Sequence, residues 1–120
     1  MAHILVIEDN PSNFKLFEAI LKSAGHEVLW AEDGEKGLSL VPGGQVELIL
    51  LDLRLPSMDG FEVAKRLKEN EQSSQIPVLV VSAQAMQEDI QRALKLGVDG
   101  YITKPIRYKE LLETMNRFLK

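Results

Sequence analysis

The 120-residue sequence contains no cysteine, which excludes a disulfide framework, a thiolate nucleophile and a cysteine-ligated metal. It also lacks a basic excess. With 14 Lys+Arg against 18 Asp+Glu the formal net charge is −4, and no basic footprint points to direct nucleic-acid binding. No apolar run approaches the roughly 20 residues that a membrane-spanning helix needs. The opening MAHILVIEDN reaches an acid at Glu8, too soon for a secretory signal. These absences leave one cytoplasmic domain, residues 1–120, long enough for a single core without staples.

What is present is alternation. HILVI (3–7) is a short apolar run bounded by acids and reads as a strand. Asn10-Pro11 supplies an N-cap and a proline suited to the first helical position. Phe14, Phe17, Ile20, Leu21 and Ala24 then recur at helical spacing, and Gly25 is placed to end that helix. HEVLWA (26–31) is a second strand, with Val28 and Trp30 on one face and Leu29 on the other. Asp33 can cap a short helix that includes Gly37 and stops before Pro42. VELILL (46–51) is the most continuously apolar strand, as expected of one covered on both faces.

Asp59 and Glu62 have capping-box spacing and predict a helix to about Asn70, with Phe61, Ala64 and Leu67 inward. IPVLVVS (76–82) is a fourth strand with Pro77 near its start, and a helix follows from about Gln87 to Leu96, ended by Gly97. VDGYIT (98–103) is a fifth strand. Tyr108, Leu111, Leu112, Met115, Phe118 and Leu119 form the apolar stripe of a last helix. Five strands alternating with five helices predict an α/β parallel sheet with helices on both faces. In such sheets function gathers beyond the carboxyl ends of the strands.

Those ends carry Glu8 and Asp9 after the first strand, Asp52 after the third, Ser82 at the fourth and Lys104 after the fifth. Three acids in one cleft repel each other, and desolvation sharpens the cost. A hard divalent cation relieves it, and an all-oxygen set suits Mg²⁺. The Ser82 hydroxyl and the Lys104 ammonium then stand ready for a further anion. A phosphoryl group carries oxygens for the metal, the lysine and the serine together, which is the charge neutralisation that phosphoryl transfer requires. Asp52, central in the sheet, is the candidate carboxylate nucleophile.

LVIEDN, LILLDLRLPSMDGFE, PVLVVSA and DGYITKPI, in that order and spacing, resemble the receiver domain of two-component response regulators, especially the stand-alone kind. The resemblance spans essentially the whole chain. It implies a flavodoxin-like (βα)5 sandwich with a parallel five-stranded sheet of order 2-1-3-4-5. It also implies a phosphorylation-dependent switch within a two-component system or phosphorelay. Asp52 matches the phosphoacceptor, Asp9 a direct Mg²⁺ ligand, Glu8 a partner acting largely through water, and the backbone carbonyl of Arg54 a further ligand. Lys104 matches the cation that pairs with the acceptor and then with the phosphoryl group. Backbone at Arg54 and Ala83 would also meet that group. Ser82 matches the switch hydroxyl, Tyr101 the aromatic that moves with it, and Lys104-Pro105 a bond usually cis in the family.

The implied partners are a histidine kinase or phosphotransfer protein as donor and a downstream effector protein, with the chain itself a monomer or weak dimer. The family expectation is that the domain assists both its own phosphorylation and its later hydrolysis. With the fifth helix at the end of the sequence, output is expected through protein contacts, unless the chain is a fragment of a larger regulator. The Arg54 side chain varies within the family and is expected to alter the lifetime of the phosphorylated state. Ile90 and Leu94 sit on a stripe away from the sheet-facing Ala93 and Leu96. That stripe is either a partner surface shared with Tyr101 or a broader buried face. His3 and His26 open strands far from the acids and read as structural or exposed, Trp30 as core, and Met58 as packing its loop down.

Other chemistries fit less well. A haloacid-dehalogenase-type phosphatase resembles D-x-D, but the second acid is Arg54 here and no cap segment is present. A flavin module wants a phosphate loop after the first strand, where EDNPSNF offers acids. A degenerate scaffold would not need the complete acid, serine and lysine set.

Overall fold

The structure, a computed structural model, describes residues 2–55, 58–83 and 86–119. Its elements run β1 (His3–Ile7), α1 (Pro11–Ser23), β2 (Glu27–Ala31), α2 (Gly34–Leu40), β3 (Leu48–Leu51) and α3 (Gly60–Glu69). They continue with β4 (Val78–Ser82), α4 (Gln87–Lys95), β5 (Gly100–Thr103) and α5 (Tyr108–Asn116). All strands pair in parallel, in the order β2-β1-β3-β4-β5, the flavodoxin-like arrangement.

Strand alternation divides the core. Leu5, Ile7, Ile49, Leu51 and Val80 face α3 and α4 residues such as Phe61, Leu67 and Ala93. Ile4, Val6, Leu48, Leu50 and Leu79 face α1 and α5, meeting Phe14, Phe17, Leu21, Leu111 and Met115. Val28 and Trp30 lie with the second set and Leu29 with the first, as the alternation in 26–31 predicts. Each fully buried Leu or Ile contributes about 1.5–3 kcal/mol relative to exposure.

Local signals set most boundaries. Asn10 Oδ1 accepts from Ser12 N–H at 2.8 Å and Asn13 N–H at 3.1 Å, and Pro11 occupies the first turn. Gly25 and Gly97, with φ of 87° and 99°, take the left-handed conformation that ends α1 and α4. Met58 packs against the core, whereas Pro56 and Ser57 of the same loop lie outside the described residues.

Several details depart from the sequence expectation, among them the starts of β4 at Val78 rather than Ile76 and of β5 at Gly100 rather than Val98. The third strand begins at Leu48 rather than Val46, and Ala24 is an exposed C-cap rather than part of the buried stripe. The Asp59–Glu62 pair forms half a capping box. Asp59 Oδ1 accepts from Phe61 N–H at 2.9 Å, but Glu62 turns down the helix to Arg66 Nε at 3.0 Å, drawn by the opposite charge one turn on. Tyr108 opens α5 on the solvent side, 54% exposed, because the buried face of the helix starts at Leu111.

One glycine fixes the placement of α3. Gly60 N–H donates to the Leu53 carbonyl at 3.1 Å, and a Cβ at Gly60 would collide with the Leu53 backbone. The helix is therefore seated directly on the residue that follows Asp52. At the opposite edge of the sheet, Lys68 Nζ donates to the Ile76 carbonyl at 3.0 Å and Asp99 Oδ2 at 3.1 Å, tying α3 to the strand starts.

Candidate functional site

The β1–β3 junction is the point where strand order reverses, and a crevice opens there at the carboxyl edge. Ile7 pairs with Leu51, so Glu8 and Asp52 leave the sheet level with each other. Asp52 N–H donates to the Ile7 carbonyl at 3.0 Å, which ties the start of one loop to the end of the neighbouring strand. Carboxylate oxygens of Glu8, Asp9 and Asp52 lie within 4.8 Å of one another. Glu8 and Asp52 are buried, at 1% and 6% exposure, while Asp9 faces solvent.

Lys104 joins the two buried acids from the far side of the sheet. Its Nζ donates to Asp52 Oδ2 at 2.9 Å and to Glu8 Oε1 at 3.0 Å. The remaining carboxylate oxygens find backbone donors. Arg54 N–H meets Asp52 Oδ1 at 3.0 Å and Asn10 N–H meets Glu8 Oε2 at 3.2 Å. Burial pushes the Glu8 carboxyl above its ordinary range, and the Asp52 charge adds to this, against the Lys104 hydrogen bond. For Lys104 burial is the largest single influence and acts downward. The hydrogen bonds and charges of Asp52 and Glu8 together outweigh it, so the ammonium is held above its usual range.

The cleft, of roughly 280 Å³, is lined by these residues together with Asn13, Arg54 and Ala83. Ser82 does not line it. That serine is fully buried at the end of β4, and its side chain hydrogen-bonds the Tyr101 phenol. Burial raises the Tyr101 phenol above its ordinary value, the Asp89 and Asp52 charges add to the rise, and the Ser82 hydrogen bond opposes it. The Arg54 side chain is exposed and, among the described residues, makes no ion pair. The Lys104–Pro105 peptide is cis.

The sequence-predicted residues thus fall into two groups: Glu8, Asp9, Asp52, Lys104, Arg54 and Ala83 at the cleft, and Ser82 with Tyr101 behind it. Sequence reasoning missed Asn13, which reaches the cleft because it lies one turn after the Asn10 cap. It also missed the Asn10 amide on Glu8. The N-cap signal at Asn10 places both. The donor set is all oxygen and anionic, with convergent carboxylates and one open side at Asp9, which fits a hard divalent ion that keeps part of its water shell.

Known proteins agree with this geometry. The family model for the response regulator receiver domain matches residues 4–116. The polar-differentiation response regulator DivK of Brucella ovis is 37% identical over 116 residues, covering 97% of this chain and 94% of that protein. The chemotaxis protein CheY4 of Vibrio cholerae superposes with a TM-score of 0.92 at 30% identity, over 99% of both chains. The receiver domain of a sensor histidine kinase from Pseudomonas aeruginosa PAO1, solved with a magnesium ion coordinated in its active-site cleft, gives 0.89 at 32% identity, over 98% of this chain and 96% of that one. A doubly wound sheet with a lysine-bridged acidic cleft at its switch point defines a phosphoacceptor signalling module. This chain belongs to the response regulator receiver domain family.

Proposed function

We infer that Asp52 is the phosphoacceptor of a two-component switch and that residues 1–120 act as one receiver domain. The observation that carries this is Lys104 spanning Asp52 and Glu8 beside the exposed Asp9. An acceptor carboxylate is thereby held in a buried cleft with a cation already facing it. In the transfer, an Asp52 carboxylate oxygen forms a bond to phosphorus. The phosphorus–nitrogen bond of a phosphohistidine on a histidine kinase or phosphotransfer protein breaks, and the imidazole leaves with the electron pair.

Glu8, Asp9, Asp52 and the Arg54 carbonyl would hold Mg²⁺, whose charge offsets that of the transferring group. Lys104 would follow the new negative charge, and backbone at Arg54 and Ala83, two residues that line the cleft, would meet the phosphoryl oxygens. The domain assists its own phosphorylation and hydrolysis through these groups. The exposed Arg54 side chain modulates the lifetime of the phosphorylated state, and Arg54→Asn should therefore change the dephosphorylation rate.

Ser82 and Tyr101 link the cleft to the α4–β5–α5 face. A charge of roughly −1.5 to −2 on Asp52 draws the Ser82 hydroxyl and alters its bond with Tyr101, biasing two pre-existing conformations. Leu94 on that face is 47% exposed and Met86 62%, with Ile90 half-buried, which favours the partner-surface reading over broader burial. The output is contact with an effector protein by a cytoplasmic monomer or weak dimer.

Beryllofluoride, a phosphoryl mimic, tests the pathway. With Mg²⁺ present, amide shifts in wild type should appear at Asp52 and Lys104 and extend to Ser82, Tyr101 and α4, and Asp52→Asn should show none. Shifts confined to the cleft would remove the switch, and no shifts at all would remove the phosphoacceptor reading.

A further inference from the structure

The sequence holds a single tryptophan, and it stands on the edge strand β2, half-buried beside the acidic loop. Trp30 pairs in register with Val6, two residues before Glu8. Backbone pairing between these strands ends with Glu8 N–H on the Ala31 carbonyl at 3.0 Å. The Glu8 carbonyl points beyond that ladder and accepts instead from the Trp30 indole Nε1–H, at 2.8 Å.

That carbonyl belongs to the peptide unit joining Glu8 to Asp9, and peptide units are planar. Holding it fixes the orientation of the link from which both acidic side chains diverge. The indole is itself held, because it stacks on Phe14 with ring centroids 4.4 Å apart and planes 5° from parallel. Phe14 N–H bonds the Asn10 carbonyl at 2.9 Å, so the stack rests on the α1 turn that begins just after Asp9. The acidic loop is clamped from both ends by one aromatic pair.

We propose that Trp30 is a positioning residue for the metal-binding acids, using its indole N–H to lock the Glu8–Asp9 peptide and so preorganise the cleft for a divalent cation. This rests on the metal-site reading above. A tryptophan that served only packing would also seat its indole N–H on an acceptor, so the two roles part on ion affinity. Loss of a tryptophan that only packs would lower stability without changing the ion affinity of the folded protein.

Calorimetric titration of the full chain with Mg²⁺, together with hydrogen exchange of the Glu8 amide, which closes the β1–β2 ladder on the Ala31 carbonyl, in the absence of metal, separates the alternatives. Trp30→Phe keeps a ring on Phe14 and removes the donor. The Mg²⁺ dissociation constant should rise about tenfold, the low end of what outer partners of metal ligands usually cost, and the Glu8 amide should exchange faster. Phe14→Leu keeps the donor and removes its support, and should shift both quantities the same way by less. It decides the matter if Trp30→Phe does not fold. Unchanged affinity and exchange in a folded variant, with wild type binding Mg²⁺, overturns the positioning role and leaves the metal site standing. Failure of wild type to bind Mg²⁺ overturns both.

Discussion

Lys104 Nζ lies 2.9 Å from Asp52 Oδ2, an ion pair formed across 52 residues of sequence at the mouth of the sheet. Because the same ammonium also holds the buried Glu8, it is the group that makes the acidic cleft tolerable without a metal. Replacing it exposes what it offsets.

Lys104→Met should lower the stability of the metal-free protein at neutral pH by about 1–3 kcal/mol, since a buried acceptor is left unsatisfied. The Glu8 carboxyl is raised above its ordinary value of 4.5 by burial, so its ionised form is the one the fold disfavours. The part of the loss due to Glu8 is therefore greatest above the raised pKa, and disappears below 4.5, where Glu8 is neutral folded or unfolded. Urea midpoints of variant and wild type, compared at neutral and acid pH, check both parts.

Gly60→Ala should destabilise by about 1–3 kcal/mol, the usual cost of forcing extra volume into a filled site. The added methyl meets the Leu53 backbone, which has no free rotamer to retreat into. Since Leu53 follows Asp52, the surviving fold should also phosphorylate more slowly. Gly25→Ala is the control. A Cβ there meets nothing within 4 Å, so that variant pays only the cost of its left-handed backbone and should leave phosphorylation unchanged.

His26 supplies a pH dependence far from the cleft. Its Nδ1 accepts from Ala2 N–H at 3.1 Å, and burial, partly opposed by the Glu47 carboxylate, lowers its pKa below 6.5. A base with a depressed folded pKa contributes stability that is present above its unfolded value and lost as pH falls through the folded one. Melting temperature should therefore drop on acidification below 6.5, and His26→Asn should show a shallower drop.

Much of the fold was legible because apolar periodicity and cap chemistry agree along the chain. HILVI became β1 with no change of boundary, and Asn10-Pro11 opened α1 as read. Where a local rule failed, a nearer partner won: Glu62 left its cap for Arg66, and Tyr108 faced water because α5 turns its buried side at Leu111. The convergence of Glu8, Asp9, Asp52 and Lys104 at one edge followed from parallel strands alone. Which oxygen Lys104 holds, and that Trp30 reaches past the end of the ladder to the Glu8 carbonyl, depend on strand register and side-chain reach that no local pattern encodes.

The central claim is the acceptor role of Asp52, and intact-mass spectrometry after incubation with acetyl phosphate and Mg²⁺ tests it most directly. Wild type should gain one phosphoryl group, lose that gain when the metal is chelated, and differ from Asp52→Asn, which should gain none. No gain in wild type, or an equal gain in Asp52→Asn, would contradict it.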